Sequence, residues 1–230
     1  MIYVIIVSFV LLIILGIIFE LNVKKIKEIG ENKELDNLTK AFPDNIEICN
    51  KILDKLGNKN VKVKEDKESK TSLYVVINNA ITIANIKDSF TRIQTIAHEC
   101  IHSTQSKKMI WFNFIFTNIY ILYFLIIVIL ALLKVNVDET LLLAILILMG
   151  SVQYCIRSML ETDAMIKARF VAKEYLEEEQ ICSKEQINII VNEYDKLNNM
   201  GIKLVNFDII ARNIVKVIIY SLLCLIMSII

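Results

Sequence analysis

The sequence predicts a mainly α, multi-pass membrane protein: about four transmembrane helices plus a small cytoplasmic α+β unit with a short β-hairpin. Three observations lead there. Hydrophobic residues make up 55% of the 230-residue chain, too many for an ordinary soluble domain of this length. The excess is gathered into four blocks, each near the ~20 residues that cross a bilayer. Between the blocks lie two polar segments, 22–109 and 157–208.

The first block, Ile2 to Phe19, is followed by Lys24, Lys25 and Lys27. It lacks a basic start and a small-residue cleavage site, so residues 1–21 read as a retained anchor rather than a cleaved signal. Lys24 to Lys40 has mixed charge and no sustained apolar face, as in a solvated helix or loose connector. Pro43 then opens a helix with apolar positions Ile46, Cys49, Ile52, Leu53 and Leu56, closed by Gly57. Val61 to Lys64 alternates like a strand, and Leu73–Ile77 and Ala80–Ala84, joined by Asn78-Asn79, read as a hairpin. The strand ending near Ala84 is expected to have a free edge that could take an extended peptide by β-augmentation, or simply to belong to a sheet covering the next helix. That helix has Asp88-Ser89 as an N-cap signal and Phe90, Ile93, Ile96, Ala97 and Ile101 as its apolar stripe.

Residues 110–156 form a transmembrane hairpin with spans at about Ile110 to Leu133 and Thr140 to Ile156. Segment 157–208 reads as helical, with Ala164, Ala168 and Ala172 giving a small-residue face for close helix approach. Residues 209–230 are the last span, which carries Arg212 and Lys216.

Lysine and arginine follow the first span, precede the second, follow the third and flank the fourth. The opposite side has only the Lys134 to Glu139 loop and the two termini. The positive-inside rule therefore places residues 22–109 and 157–208 in the cytoplasm of a cell-membrane protein, where the two segments can build one site. Five cysteines without CxxC spacing are expected as free thiols. A net charge of +1 with no basic patch gives no nucleic-acid footprint.

The chemistry sits in Ala97-His98-Glu99-Cys100-Ile101-His102, an HExxH pattern that uses both histidines of the chain. Random placement of two histidines would give it roughly once in 1,700 such chains. On a helix, positions i and i+4 share a face, so both imidazoles can converge on one zinc ion at about 2.0–2.1 Å. Glu99 then stands where a general base is needed. Cys100 is rotated about 200° from His98 and is expected to pack inward. These features make the polar unit zincin-like, with one Zn2+ per chain.

Catalytic zinc usually takes three protein ligands, so the third must be a carboxylate or thiolate distant in sequence. The extended metzincin pattern is excluded, because Lys108 stands where its third histidine would be and Gln105 where its glycine would be. Glu161, just beyond the third span, is the candidate favoured by the height that the bilayer imposes on both helix ends. Asp163 is its rival; it lies about 200° around a regular helix from Glu161 and is assigned a hydrogen bond to a ligand histidine. Tyr154 and Arg157 are candidate stabilisers of a developing oxyanion, although Arg157 also serves as a positive-inside anchor.

The segment from Ala97 to Gln105, preceded by the hairpin and followed after two spans by Glu161-Thr162-Asp163-Ala164, resembles the YugP-like membrane-bound neutral zinc metallopeptidases over essentially the whole chain. That family's motif typically reads AHEVGHxxQ, with a later EFDA. The resemblance implies zinc ligands at His98 and His102, a catalytic glutamate at Glu99 and a third ligand at Glu161. Cys100-Ile101 replaces the usual Val-Gly, putting a β-branched side chain where glycine permits close backbone approach. Thermolysin-like peptidases place an Asp four residues after the ligand Glu; here that position is Met165.

The expected activity is hydrolysis of peptide bonds in a peptide or membrane-protein substrate, at or near the cytoplasmic membrane surface. An intramembrane site-two protease is disfavoured by polar flanks such as Arg92, Gln94, Lys107 and Lys108. The alternative is a non-catalytic membrane scaffold or regulator with structural zinc. The sequence does not specify an oligomeric state.

Overall fold

A computed structural model describes residues 1–40 and 42–229. The chain is mainly helical, 74% by residue, with one three-stranded sheet. It divides into two compact units. One comprises Met1–Leu21, Trp111–Met159 and Lys203–Ile230, and the other Asn22–Ile110 and Leu160–Ile202.

The first unit is built from α1 (Ile2–Ile18) and the apolar parts of α6 (Lys107–Leu132), α7 (Glu139–Glu179) and α8 (Lys184–Ile229). Tyr120, Ile127, Leu143, Leu146, Val217, Tyr220 and Cys224 pack together at its centre. Phe112, Leu122, Leu125, Ile129 and Leu148 stay exposed, so these helices are apolar on outward as well as inward faces. That pattern belongs to a helix meant for an apolar surround. α6, α7 and α8 are each long and apolar enough to cross a membrane. The fourth expected span is shorter: α1 has 17 residues and reaches the required length only when taken with α2 (Val23–Gly30), from which it is bent by 44°.

Neither α7 nor α8 breaks where its sequence turns from apolar to charged. α7 runs through Arg157 as one 41-residue helix, because no Pro or Gly interrupts the stretch from Ser151 to Glu179.

In the second unit the charged connector folds into α2 and α3 (Lys33–Thr39), each started by an asparagine. The Asn22 side chain accepts from the Lys25 N–H at 2.9 Å, and that of Asn32 from the N–H groups of Glu34 and Leu35. α4 (Asn45–Lys55) buries Ile48, Cys49, Ile52 and Leu53, whereas Ile46 faces outward. Gly57, at φ 70°, turns the chain away after it. The strands are β1 (Lys62–Asp66), β2 (Leu73–Val75) and β3 (Ala80–Ala84), in the order β1-β3-β2. β2 and β3 pair antiparallel with Tyr74 opposite Ile81, the expected hairpin with a shorter first arm.

β1 pairs parallel to β3 along its whole length, from Lys62 opposite Ala80 to Asp66 opposite Ala84. β3 is therefore the central strand: β2 pairs with Ala80 to Thr82 on its other side, and beyond that the Ala84 N–H donates to Ser72 Oγ at 3.1 Å, which corrects the expectation of an open edge near Ala84. The sheet's edges are β1 and β2. The four-residue alternation at Val61 to Lys64 shows a strand but carries no information about its neighbour, so the parallel pairing could not be read from it.

α5 (Arg92–Thr104) follows β3. It begins two residues later than Phe90, because Ser89 makes a local turn in which its hydroxyl accepts from the Thr91 N–H. Its face formed by Ile93, Ile96, Ala97 and Cys100 is fully buried against α4, β3 and parts of α7 and α8. The small-residue face of α7 is buried too: Ala164, Ala168 and Ala172 are all at most 1% exposed. With no side chain beyond Cβ, these positions let α7 lie close to its neighbours.

Candidate metal centre

α5 is fixed by its apolar stripe, and its opposite face carries the two histidines one turn apart. Their rings meet edge to face, and the Nε2 atoms of His98 and His102 lie 3.0 Å apart. Glu161 on α7 brings Oε2 to 3.5 Å from His98 Nε2 and 3.6 Å from His102 Nε2. All three side chains are partly shielded, about one-fifth exposed.

This triangle can be compared with what a metal needs. Two ligand atoms bound at about 2.0–2.1 Å in a tetrahedral site sit about 3.3 Å apart. The observed separations of 3.0, 3.5 and 3.6 Å bracket that value. Among the described residues, His98, His102 and Glu161 are the group of three that could hold a metal ion, and no fourth His, Cys, Asp or Glu joins them. The donor set and its spacing fit the zinc that the HExxH pattern implies.

The next layer is supplied by Gln105, the residue that ends α5. Its Oε1 lies 2.9 Å from His102 Nδ1, while its Nε2 donates to the Leu160 carbonyl at 2.8 Å and to Asp163 Oδ2 at 2.9 Å. Because the amide nitrogen is committed to two acceptors, the amide oxygen faces the histidine and Nδ1 must donate. Nε2 of His102 is thereby the nitrogen turned toward His98 and Glu161, and in the neutral ring it carries the lone pair that a metal ligand requires.

Asp163 does not touch a histidine, contrary to its expected hydrogen bond. Its Oδ1 pairs with Lys167 at 2.7 Å, and its Oδ2 is joined to His102 by hydrogen bonds through the Gln105 amide. The reason is angular: Asp163 is two residues from Glu161, so a regular α7 that aims Glu161 at the triangle turns Asp163 aside.

The charges respond to this convergence. Burial opposes ionisation of Glu161, but hydrogen bonds from His102 and His98 outweigh it and hold the carboxyl well below the usual range. Burial likewise disfavours the charged form of His102, yet Glu161 and then Glu99 raise its pKa above the ordinary 6.5. Without a cation, a proton on imidazole serves as the carboxylate's counter-charge, a place that a divalent ion can take.

Glu99 is buried, 7% exposed, and its Oε2 accepts the backbone N–H of Tyr74 at 2.6 Å. The edge strand β2 thus holds the glutamate of the motif. Cys100 points the other way, with its Sγ 3.6 Å from that of Cys49. The contact with Cys49 and burial push its thiol well above the ordinary range, so it offers no thiolate to a metal. Tyr154 and Arg157 belong to the first unit, whereas Glu99, the three ligand candidates, Gln105 and Asp163 belong to the second.

Gln105 is the residue to which the sequence assigned no role. The available signal was its position three residues after the second histidine, in the helix's last turn, where a side chain can fold back onto the imidazole. Compared with protein-family profiles, curated proteins and solved structures, the chain matches none.

Proposed function

We propose that the protein is a membrane-anchored zinc metallopeptidase, hydrolysing peptide bonds at or near the cytoplasmic membrane surface. The observation that carries this reading is the triangle of His98, His102 and Glu161 with a buried glutamate, Glu99, next to one of its ligands in sequence. A zinc ion held there would polarise the scissile carbonyl and make a water molecule easier to deprotonate at neutral pH.

The chain's own residues then have distinct tasks. His98, His102 and Glu161 hold the ion, and Gln105 keeps His102 in the tautomer that leaves Nε2 free to bind. Tyr74 N–H occupies Oε2 of Glu99, which leaves Oε1 to accept a proton from the attacking water and return it to the leaving amine. Orientation is supported by the distribution of lysine and arginine about the three long apolar helices. The likeness of the Ala97 to Gln105 segment and of Glu161-Thr162-Asp163-Ala164 to the YugP-like peptidases supports the same activity.

The rival is a membrane scaffold with structural zinc. Structural sites are usually closed by four protein ligands, whereas only three converge among the described residues, which leaves a position for water or substrate. The deciding experiment incubates the zinc-loaded chain in nanodiscs with a quenched-fluorescent peptide library. Cleavage by wild type that disappears in Glu99→Gln, with zinc content unchanged, supports the peptidase. No cleavage by a zinc-loaded wild type against soluble and membrane-tethered peptides alike favours the scaffold.

A further inference from the structure

The first unit contains a polar cavity that the peptidase reading does not use. It measures about 240 Å³ and lies between α6, α7 and α8. Arg157, Arg212 and Lys216 line it, and Asp208 is the one carboxylate among its lining residues.

Three of these charges form a single stripe on α8. Asp208, Arg212 and Lys216 recur every fourth residue, on one helix face, leading into the apolar stretch that starts at Ile209. Asp208 is committed to Arg212, its Oδ2 lying 2.8 Å from Nε. Lys216 has no carboxylate partner among the described residues. Its ammonium reaches only the Arg212 carbonyl at 3.4 Å and Asn213 Oδ1 at 3.5 Å, both at the long limit for a hydrogen bond, and sits 4.9 Å above the Tyr120 ring.

Asn213 is held in place from α7. Its Nδ2 donates to the Gly150 carbonyl at 2.9 Å and to Gln153 Oε1 at 3.0 Å, which turns Oδ1 toward Lys216. Asn213 is thus fixed with its amide oxygen facing the ammonium, which lies within reach of it and over the Tyr120 ring. A cation in an apolar helix unit is costly unless paired, so its retention in a preformed cavity indicates an anionic partner.

The surroundings indicate what kind. Ile121 lines the same cavity and is 44% exposed, and on α6 Leu122 and Leu125 continue the exposed apolar surface. On α8, Val215 and Ile219 do the same. A half-buried Lys216 lining the cavity and a largely exposed Arg212 at its rim, flanked by outward apolar faces, match a phosphate joined to acyl chains. We propose that this cavity binds the phosphate group of an anionic membrane lipid, clamped by Arg212 and Lys216, with the chains lying along the exposed faces of α6 and α8. The inference rests on the apolar helices and does not depend on the metal centre.

Native mass spectrometry of the full chain, released from detergent after titration with dioleoylphosphatidylglycerol or dioleoylphosphatidylcholine, tests it. Wild type should retain the anionic lipid about thirtyfold more tightly than the zwitterionic one, as expected for two cations at the phosphate. The Arg212→Gln and Lys216→Gln double variant should lose that preference, while Lys216→Arg keeps it. The rescue separates loss of charge from loss of fold. Excess inorganic phosphate should leave the bound lipid in place. Displacement of the lipid by phosphate would overturn the lipid as occupant in favour of the free anion. Equal retention of both lipids, or an undiminished preference in the double variant, would overturn the site.

Discussion

Gln105 lies with its Oε1 2.9 Å from His102 Nδ1, while its amide nitrogen is tied to Asp163 and to the Leu160 carbonyl. One glutamine therefore decides which imidazole nitrogen faces the ligand triangle, and couples the end of α5 to the turn of α7 that presents Glu161. Removing the side chain by Gln105→Ala should weaken zinc binding by roughly 10–100-fold, the usual cost of losing a ligand's hydrogen-bond partner. Competition with a chromophoric chelator measures this. Unchanged affinity would mean that His102 is oriented by other means.

Asp163 acts one step further out, so Asp163→Asn should have a smaller effect than Gln105→Ala. It keeps an acceptor for the Gln105 amide and loses the charge paired with Lys167, an ion pair on a largely exposed lysine. The same chelator assay ranks the two variants. A larger loss in Asp163→Asn would restore Asp163 as a ligand in place of Glu161.

The buried alanines of α7 predict a packing effect. Ala168 is 1% exposed and lies within the core that includes Ile93, Ile96 and Tyr194. Ala168→Leu adds three carbons where the space is filled and should destabilise the unit by about 1–3 kcal/mol. Ala168→Gly leaves the space open and costs instead through helix propensity, about 1 kcal/mol. Unfolding of the purified protein under denaturant, followed in both variants, separates the two effects. A tolerated leucine would mean that α7 packs more loosely than the buried alanine face shows.

Acid and base each weaken the metal-free centre, acting on different groups. His102 has a pKa raised above 6.5 in the folded chain, so the fold binds its proton more tightly than the unfolded chain does. That contribution is fully present below pH 6.5 and is lost as pH rises through the raised value. Glu161 is depressed below 4.5, so its contribution is present above pH 4.5 and lost as pH falls through the depressed value. Both describe one ion pair, most effective between about pH 4.5 and 6.5. Chelated protein should lose apparent Tm between pH 6.5 and 8, and His102→Gln should flatten that slope. Added zinc should give its largest gain at pH 8, because it takes the proton's place. A chelated wild type that gains Tm over the same interval would contradict this pairing.

Much of the site was legible because HExxH is a local pattern: spacing alone puts His98 and His102 on one helix face. Glu161, some 60 residues on, could be approached only through the height that the bilayer imposes on two helix ends. What the sequence concealed is non-local or angular. The central place of β3 depends on a parallel partner, β1, whose alternation names no neighbour. The role of Gln105 depends on how the last turn of α5 folds back, and the displacement of Asp163 on the phase of α7. The continuity of α7 through Arg157 was hidden for a different reason: a change from apolar to charged composition looks like a boundary, but backbone hydrogen bonding does not sense it.

The most direct measurement is zinc per chain, by mass spectrometry of the metal on detergent-purified wild type beside Glu161→Ala. One equivalent is expected in the wild type and a large loss in the variant, with both chains eluting as folded protein. A folded wild type that stays empty after zinc is supplied would contradict the metal centre itself, and equal zinc in both would remove Glu161 from it.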